Sequence, residues 1–299
     1  VDSGLIWSIK RHISLVVLIG VTVFGLAAAL LWAALGFPTA SAARLDIIKV
    51  ALTVVAGVGG VVALVVAYRK QRISESAETR ERVKLLNERF GTACNQIGNE
   101  APTIRLAGVY ALAALADEWP EQRQVCIDVL CAYLRVPYEP SLESEWYHDA
   151  ESEVRLSITS VIAQHLREGA PVSWQGHNFD LVRAVLRSAD FAGVVISSGT
   201  FFLSLARFPA GWVSFDGMKV CGGELWFGGA SFDGARVTFD KAELTSGRLR
   251  FEGAEFNGGE VSFRGVRFAG AEVDLSEAVI AVMPVFDEGE KPGLKLPSA

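Results

Sequence analysis

From Val194 to Glu277 the chain repeats itself every twelve residues, and this periodicity restricts its C-terminal third to a stacked architecture. Copies begin at Val194, Ala206, Met218, Ala230, Ala242, Ala254 and Val266 and read roughly A-x-F-x-G-G-x-V-x-F-x-G. The third position is Ile196, Phe208, Val220, Phe232, Leu244, Phe256 and Phe268, and the eighth is Phe201, Val213, Leu225, Val237, Leu249, Val261 and Val273. The tenth is Leu203, Phe215, Phe227, Phe239, Phe251, Phe263 and Leu275. All are apolar in a chain that is 51% apolar, so the agreement has a chance probability on the order of one in a million.

Within a copy, apolar residues recur at spacing two, as in Ala254 and Phe256 or Val261 and Phe263, with Glu255 and Ser262 between them. That alternation predicts short strands with one buried face. Glycine, alanine or serine sits between the runs, as at Gly258-Gly259, where a chain turns without a side-chain clash. Such short strands cannot bury an inner face alone, whereas stacking copies at about 4.8 Å pairs each strand with the next. The pattern predicts a parallel β-solenoid whose interior holds Phe208, Phe215, Phe227, Phe232, Phe239, Phe251, Phe256, Phe263 and Phe268.

Three consecutive five-residue units, Ala184-Val185-Leu186-Arg187-Ser188, Ala189-Asp190-Phe191-Ala192-Gly193 and Val194-Val195-Ile196-Ser197-Ser198, place a small residue before a central Leu, Phe or Ile. Ala230 to Gly234 and Ala254 to Gly258 repeat the motif, each followed by a seven-residue spacer. Over about 110 residues, Trp174 to roughly Val282, the chain resembles the pentapeptide-repeat superfamily. The resemblance implies a right-handed quadrilateral β-helix. The spacers depart from a strict five-residue period, and two copies, 24 residues, would close a four-sided coil of alternating five- and seven-residue faces. The whole arrangement is similar to a bacterial, membrane-anchored type of that superfamily with two N-terminal transmembrane helices.

Ile13 to Leu35 is apolar apart from Ser14 and Thr22, and Val50 to Tyr68 is apolar apart from Thr53. Each is long enough to cross a hydrocarbon core near 30 Å thick, which predicts a transmembrane hairpin over residues 1–68 with spans at about 13–35 and 48–68. A signal peptide fits the first run less well, because the run is too long and no clear cleavage site precedes the second. Lys10, Arg11 and His12 precede the first span and Arg69, Lys70 and Arg72 follow the second. The positive-inside rule then places both termini in the cytoplasm, and the resemblance implies that the membrane is a bacterial inner membrane. Small residues at four-residue spacing, Gly25, Ala29 and Ala33, then Gly59, Ala63 and Ala67, suit close helix packing within the hairpin or between protomers of a homo-oligomer.

Residues 69–169 read as a charged helical stalk, Arg69 to Arg82, followed by a small helical array. The stalk leads into a seam of Val83, Leu86, Phe90, Ala93 and Ile97. Pro102 opens a mostly buried helix, Pro120 restarts the chain, a polar loop from Pro137 to His148 follows, and a last helix carries Val154 to Leu166. The array is placed to cover the open edge of a solenoid spanning residues 170–283. Residues 284–299 read as a flexible tail.

Little in the chain suggests catalysis, and no cofactor or metal is expected. Glu145 and His148 have E-x-x-H spacing without companion ligands. Cys94, Cys126, Cys131 and Cys221 form no C-x-x-C pair and read as buried thiols. The resemblance also implies, as an alternative, a duplex-mimicking, topoisomerase-binding protein; this needs one negative charge per ~1.7 Å, whereas Ala170 to Val282 holds thirteen acidic and ten basic residues. No nucleic-acid partner is expected. The residues point to a non-enzymatic, membrane-tethered scaffold for an unidentified cytoplasmic protein. Phe202, Trp212 and Trp226 are the candidate interface, or equally residues packed on the neighbouring helices. The alternative is a membrane effector whose hairpins assemble on a cytoplasmic trigger, against which the apolar spans argue.

Overall fold

The computed structural model describes residues 3–34, 41–137 and 145–297, and the chain divides into two compact units, Val1–Val83 and Lys84–Ala299. In the first unit lie α1 (Ser3–Ala34) and the opening of α2 (Ser41–Ile97). Both are rich in Ala, Leu and Val and contain no proline. The Thr53 hydroxyl donates to the Lys49 carbonyl at 2.9 Å, and Thr22 does the same to Leu18, so each is satisfied within its own helix. Ala28, Ala29 and Trp32 of α1 share a cleft of about 410 Å³ with Ile47 and Ile48 of α2. From Leu45 onward α2 carries a run long and apolar enough to cross a membrane, whereas the described apolar part of α1, Leu18–Ala34, is shorter. Ile47 and Ala51 of this run are buried, whereas most of its other side chains point outward, with Leu64 73% exposed.

The second unit begins within α2. Leu86, Ala93 and Ile97 are buried and Phe90 packs at their edge, but Val83 is 41% exposed, so the seam starts one step later than its sequence spacing predicts. Here α3 (Pro102–Glu118) crosses so close to the end of α2 that a Cβ on Gly108 would overlap the Ile97 backbone. Ile104 and Tyr110 of α3 are exposed, which corrects the expectation of a helix buried nearly all round. A short 3-10 turn at Pro120–Gln122 leads into α4 (Arg123–Arg135), and α5 (Glu145–Leu166) starts inside the stretch expected as a loop. Arg155, itself buried, donates to the Leu134 and Val136 carbonyls at 3.1 and 2.9 Å and is held by Glu151 at 2.8 Å. It thus supplies donors to the otherwise open carbonyls at the end of α4.

The rest of the chain is a parallel β-solenoid of about five turns. Its pairings fall into four sets along each coil. Val195 pairs with Lys219, Thr200 with Glu224, Arg207 with Ser231 and Trp212 with Arg236, each 24 residues on. One coil therefore consumes two sequence repeats and has four sides. Two adjoining sides share one sheet because the eight-residue strands Lys219–Trp226 and Glu243–Arg250 run around a corner, with register shifts near Ser246. At Gly211 the turn brings the Arg187 carbonyl so close that a Cβ would overlap its oxygen. Glycine alone is accommodated there.

Inside, rings stack on rings one coil away. Phe208–Phe232, Phe232–Phe256, Phe215–Phe239, Phe239–Phe263 and Phe227–Phe251 have centroids 4.7, 4.8, 4.9, 4.8 and 4.9 Å apart and interplanar angles of 2, 8, 7, 3 and 8°. Neighbouring ladders meet edge-on, as in Phe227 against Phe239 at 81°, the arrangement that ring quadrupoles favour. Of the predicted interior phenylalanines all are buried except Phe268, which is only partly covered because its strand Arg267–Phe268 pairs on one side alone. Ser214, Thr238 and Ser262 form a buried hydroxyl column beside the rings, and the Thr238 hydroxyl has no hydrogen-bond partner.

Both ends of the solenoid are closed. Residues 284–297 hold two further strands, correcting the expected flexible tail: Val285–Phe286 pairs with Ser262–Phe263, and Leu294–Lys295 with Val273–Asp274. Phe286 stacks on Phe263 at 5.0 Å. Pro284 and Pro292 lie just before these two strands, and Asp287, Glu288 and Glu290 lie between them, which discourages further pairing at this edge. At the other end α4 and α5 pack on strands Phe179–Asp180 and Ser188–Asp190. The Gln124 side-chain amide both accepts from the Asn178 N–H at 3.0 Å and donates to its carbonyl at 2.8 Å, acting as a one-residue neighbouring strand.

A 24-residue coil has a direct test. Deleting Met218–Lys241 removes one whole turn and should leave a protease-resistant solenoid. Deleting only Ala230–Lys241 would set Arg250 over Ser214 in the buried hydroxyl column and should destroy it; equal resistance of the two deletions would refute the coil length. Thr238→Val, which removes the unpartnered hydroxyl, is expected to raise stability by about 1 kcal/mol in denaturant unfolding, whereas Phe239→Asp should abolish the folded state.

Candidate interaction surface

Outward side chains form columns with the same 24-residue spacing, and the columns alternate in charge. Lys219, Glu243 and Arg267 stand in line, as do Glu224, Arg248 and Glu272. Arg248 lies 2.6 Å from Glu224 and 3.6 Å from Glu272 through its Nη1 and Nε atoms. Glu272 is also bound by Lys295 at 2.5 Å, and Arg236 approaches Glu260 at 3.5 Å. Exposed pairs of this kind contribute little stability each. Their effect is to leave the surface locally neutral and to disfavour a slipped register, which would bring like charges together.

The alternation is interrupted where the aromatic residues sit. Phe202 and Trp226 face outward on strands Thr200–Phe202 and Lys219–Trp226, in register one coil apart, with ring centroids 6.1 Å from each other. Arg250, the next residue in that column, lays its guanidinium 5.2 Å from the Trp226 ring and reaches Glu252 at 3.0 Å. The Trp226 indole donates to Glu224 at 2.8 Å. That hydrogen bond, with the one from Arg248, holds the Glu224 carboxyl below the usual carboxylate range. The result is a fixed aromatic–arginine patch, and both residue types are enriched among the anchors of protein interfaces.

Trp212 lies elsewhere. It belongs to the sheet containing Ser188–Asp190 and Arg236–Thr238, pairs with Ser188 and Arg236, and is 45% exposed. Its repeat and that of Trp226 are adjacent in sequence, but each coil uses two repeats, so the two rings sit on different sides of the solenoid. The single patch of Phe202, Trp212 and Trp226 expected from sequence is therefore two features: the Phe202–Trp226–Arg250 column and an isolated tryptophan. Arg250 was not among the expected residues; its signal is the 24-residue offset from Trp226.

Among the thiols, Cys126 and Cys131 are buried, Cys94 is partly covered and Cys221 is exposed, which corrects the reading of all four as core residues. Burial pushes Cys126 up to about 11, with the neighbouring Cys94 adding to it, and Cys131 up to about 12. Both stay protonated and unreactive near neutrality. Glu145 and His148 fall on the first turn of α5, and their side chains lie outside the described residues.

Trp226→Ala should lower unfolding stability by about 1 kcal/mol through loss of the arginine contact and the Glu224 hydrogen bond. Trp212→Ala should change it by less than about 0.5 kcal/mol. Equal losses in denaturant unfolding would show that the two indoles are held alike. Comparison with family models, with curated proteins and with solved structures finds no match to this chain.

Proposed function

We propose that this protein is a non-enzymatic, membrane-tethered scaffold. In this reading α1 and the first part of α2 form a two-helix hairpin in a bacterial inner membrane, both termini face the cytoplasm, and the solenoid, right-handed as the pentapeptide-repeat resemblance implies, presents a rigid face to a protein partner. The observation that carries it is the outward-facing apolar surface of α2. Leu64 and Val61 are 73% and 64% exposed, and Leu52, Val58, Val62, Val65 and Val66 are exposed as well. Each such side chain gains about 1.5–3 kcal/mol when removed from water, and a bilayer covers all sides of a helix at once. The threonines within the runs already bond to their own helices, as a lipid environment requires.

The solenoid supports the scaffold half of the reading. Several of its outward charges are spent on one another across coils, as in Glu224, Arg248 and Glu272, which leaves the half-buried Phe202–Trp226–Arg250 column and the exposed Trp212 as outward aromatic surface. An alternating surface also fits poorly with duplex mimicry, which needs a continuous stripe of one sign.

Under this reading the full chain should resist alkaline carbonate extraction from membranes, a version lacking residues 1–68 should be released, and a reporter fused after Ala299 should be active only in its cytoplasmic form. Extraction of the full chain, or an externally active fusion, would overturn the tether or its orientation. For the scaffold, a photo-crosslinking residue at position 226 should yield a discrete adduct in membranes that the same residue at position 236 does not; identical patterns would remove the assigned face.

A further inference from the structure

Where α5 lies over the first coil, the two elements enclose a cavity of about 40 Å³. Ser152, Arg155 and Thr159, at spacings of three and four, set one face of α5 along its helix side. Arg187 and Ser188, at the start of the strand Ser188–Asp190, line the coil side, and two apolar residues complete the wall. Both sides are held in place. The Arg187 carbonyl accepts from the Trp212 N–H of the next coil at 2.8 Å. Arg155 is fixed by Glu151 and by the carbonyls at the end of α4, and the Thr159 hydroxyl donates to the Leu156 carbonyl at 2.9 Å.

The lining is cationic. Arg155 and Arg187 bring two guanidiniums, and among the described residues no acidic side chain lines the cavity. Glu151, which holds Arg155 at 2.8 Å, is shared with Arg105 at 3.4 Å and accepts from the Tyr133 hydroxyl at 2.8 Å, so its charge is divided among three partners. Arg187 is exposed and forms no ion pair among the described residues, in contrast with Arg236 and Arg248 on the same solenoid. Two guanidiniums at one cavity repel each other, and an anion between them turns that repulsion into attraction. The space takes about three water-sized groups, which matches the oxygens of one phosphate or sulfate and is too small for a nucleoside. Charge arrives from two sides. The ligand must therefore direct oxygens both ways, as a tetrahedral oxyanion does and a planar carboxylate does not.

We infer that this cavity is a binding site for a small tetrahedral oxyanion, phosphate above all, with the Arg187 guanidinium and the Ser188 hydroxyl as its donors on the first coil and Arg155 supplying the opposing positive charge from the helical cap. An ion bound there touches both elements, so it fastens α5 to the solenoid. The assignment is independent of the membrane tether, since every lining residue lies in the second unit.

The test is thermal unfolding of the full chain in detergent micelles, titrated with sodium phosphate against sodium chloride at constant ionic strength. Phosphate should raise the melting temperature along a saturating curve, as a ligand of the folded state alone does, and chloride should not. Because exclusion of phosphate from the protein surface stabilises every variant alike, the deciding comparison is with Arg187→Ala. That variant should melt with the natural chain in chloride and need roughly tenfold more phosphate for half of the rise, whereas Arg236→Ala should respond as the natural chain does. Equal responses of the natural chain and Arg187→Ala, or a rise that does not saturate, would overturn the site. If Arg187→Ala does not fold, equilibrium dialysis of the natural chain with radiolabelled phosphate decides: saturable uptake of a single ion per chain supports the site, and no uptake overturns it. Melts in nanodiscs containing phosphatidate separate the sources of the ion. A melting temperature already raised, with no further response to dissolved phosphate, assigns the oxyanion to a lipid headgroup, and a retained response assigns it to the free ion.

Discussion

Ring stacking and backbone pairing impose the same repeat distance on this chain, and the solenoid rests on that coincidence. Parallel strands hydrogen-bond at about 4.7–4.9 Å, and the phenylalanines of the central coils stack at 4.7 to 4.9 Å with planes within 8° of parallel, opening to 5.2 and 5.4 Å in the first coils. Neither interaction has to stretch to satisfy the other. Since stacked rings tolerate little lateral slip without losing contact, the ladders also fix the register, and with it the side from which every outward residue projects. The edge-on meetings between ladders lock the ladders to one another.

A solenoid of this kind carries its surface as columns, so one substitution per coil acts like a row. Opposite charges in successive coils, as in Glu224, Arg248 and Glu272, make the correct register electrostatically preferred and leave little net field. The hydroxyl column of Ser214, Thr238 and Ser262 illustrates the complementary constraint. These residues occupy the same place in the twelve-residue pattern as Trp226 and Arg250, yet on their side of the coil the position is buried and admits only small side chains.

That contrast shows how far the sequence could be read. Period, strand alternation and inward assignment were legible, because burial forces apolar residues onto every second position; eight of the nine named phenylalanines are buried. A twelve-residue pattern cannot by itself say which copies share a side, and so Trp212 and Trp226 looked like neighbours when they are not. Phe268 satisfies the pattern but sits where the next coil offers no strand. The strands at Val285–Phe286 and Leu294–Lys295 escaped notice because they pair at offsets of 23 and 21 residues, outside the period. Cys221 is exposed for a related reason: it lies on the corner of a long strand, where the alternation breaks. At the junction of the helices and the first coil, the Trp174 indole donates to Asp117 at 2.8 Å and its ring stacks on His165 with centroids 4.0 Å apart; this Asp117–His165–Trp174 cluster joins residues up to 57 apart, and no local spacing announces it.

Stacked repeats contact only their neighbours, so their stability is close to a sum of coil and interface contributions, and the terminal coils are the weak members. The two ends here are closed by different physics. At the C-terminal end the strands Val285–Phe286 and Leu294–Lys295 cover the preceding coil by backbone pairing and by the Phe286–Phe263 stack. At the N-terminal end the stop is non-covalent and polar: a glutamine amide imitating a strand, arginine contacts to Asp180, Asp190 and Ala192, and the histidine–aspartate–tryptophan cluster. The helices meet the solenoid at this junction, where hydrogen bonds and ion pairs add to the apolar packing of one continuous core.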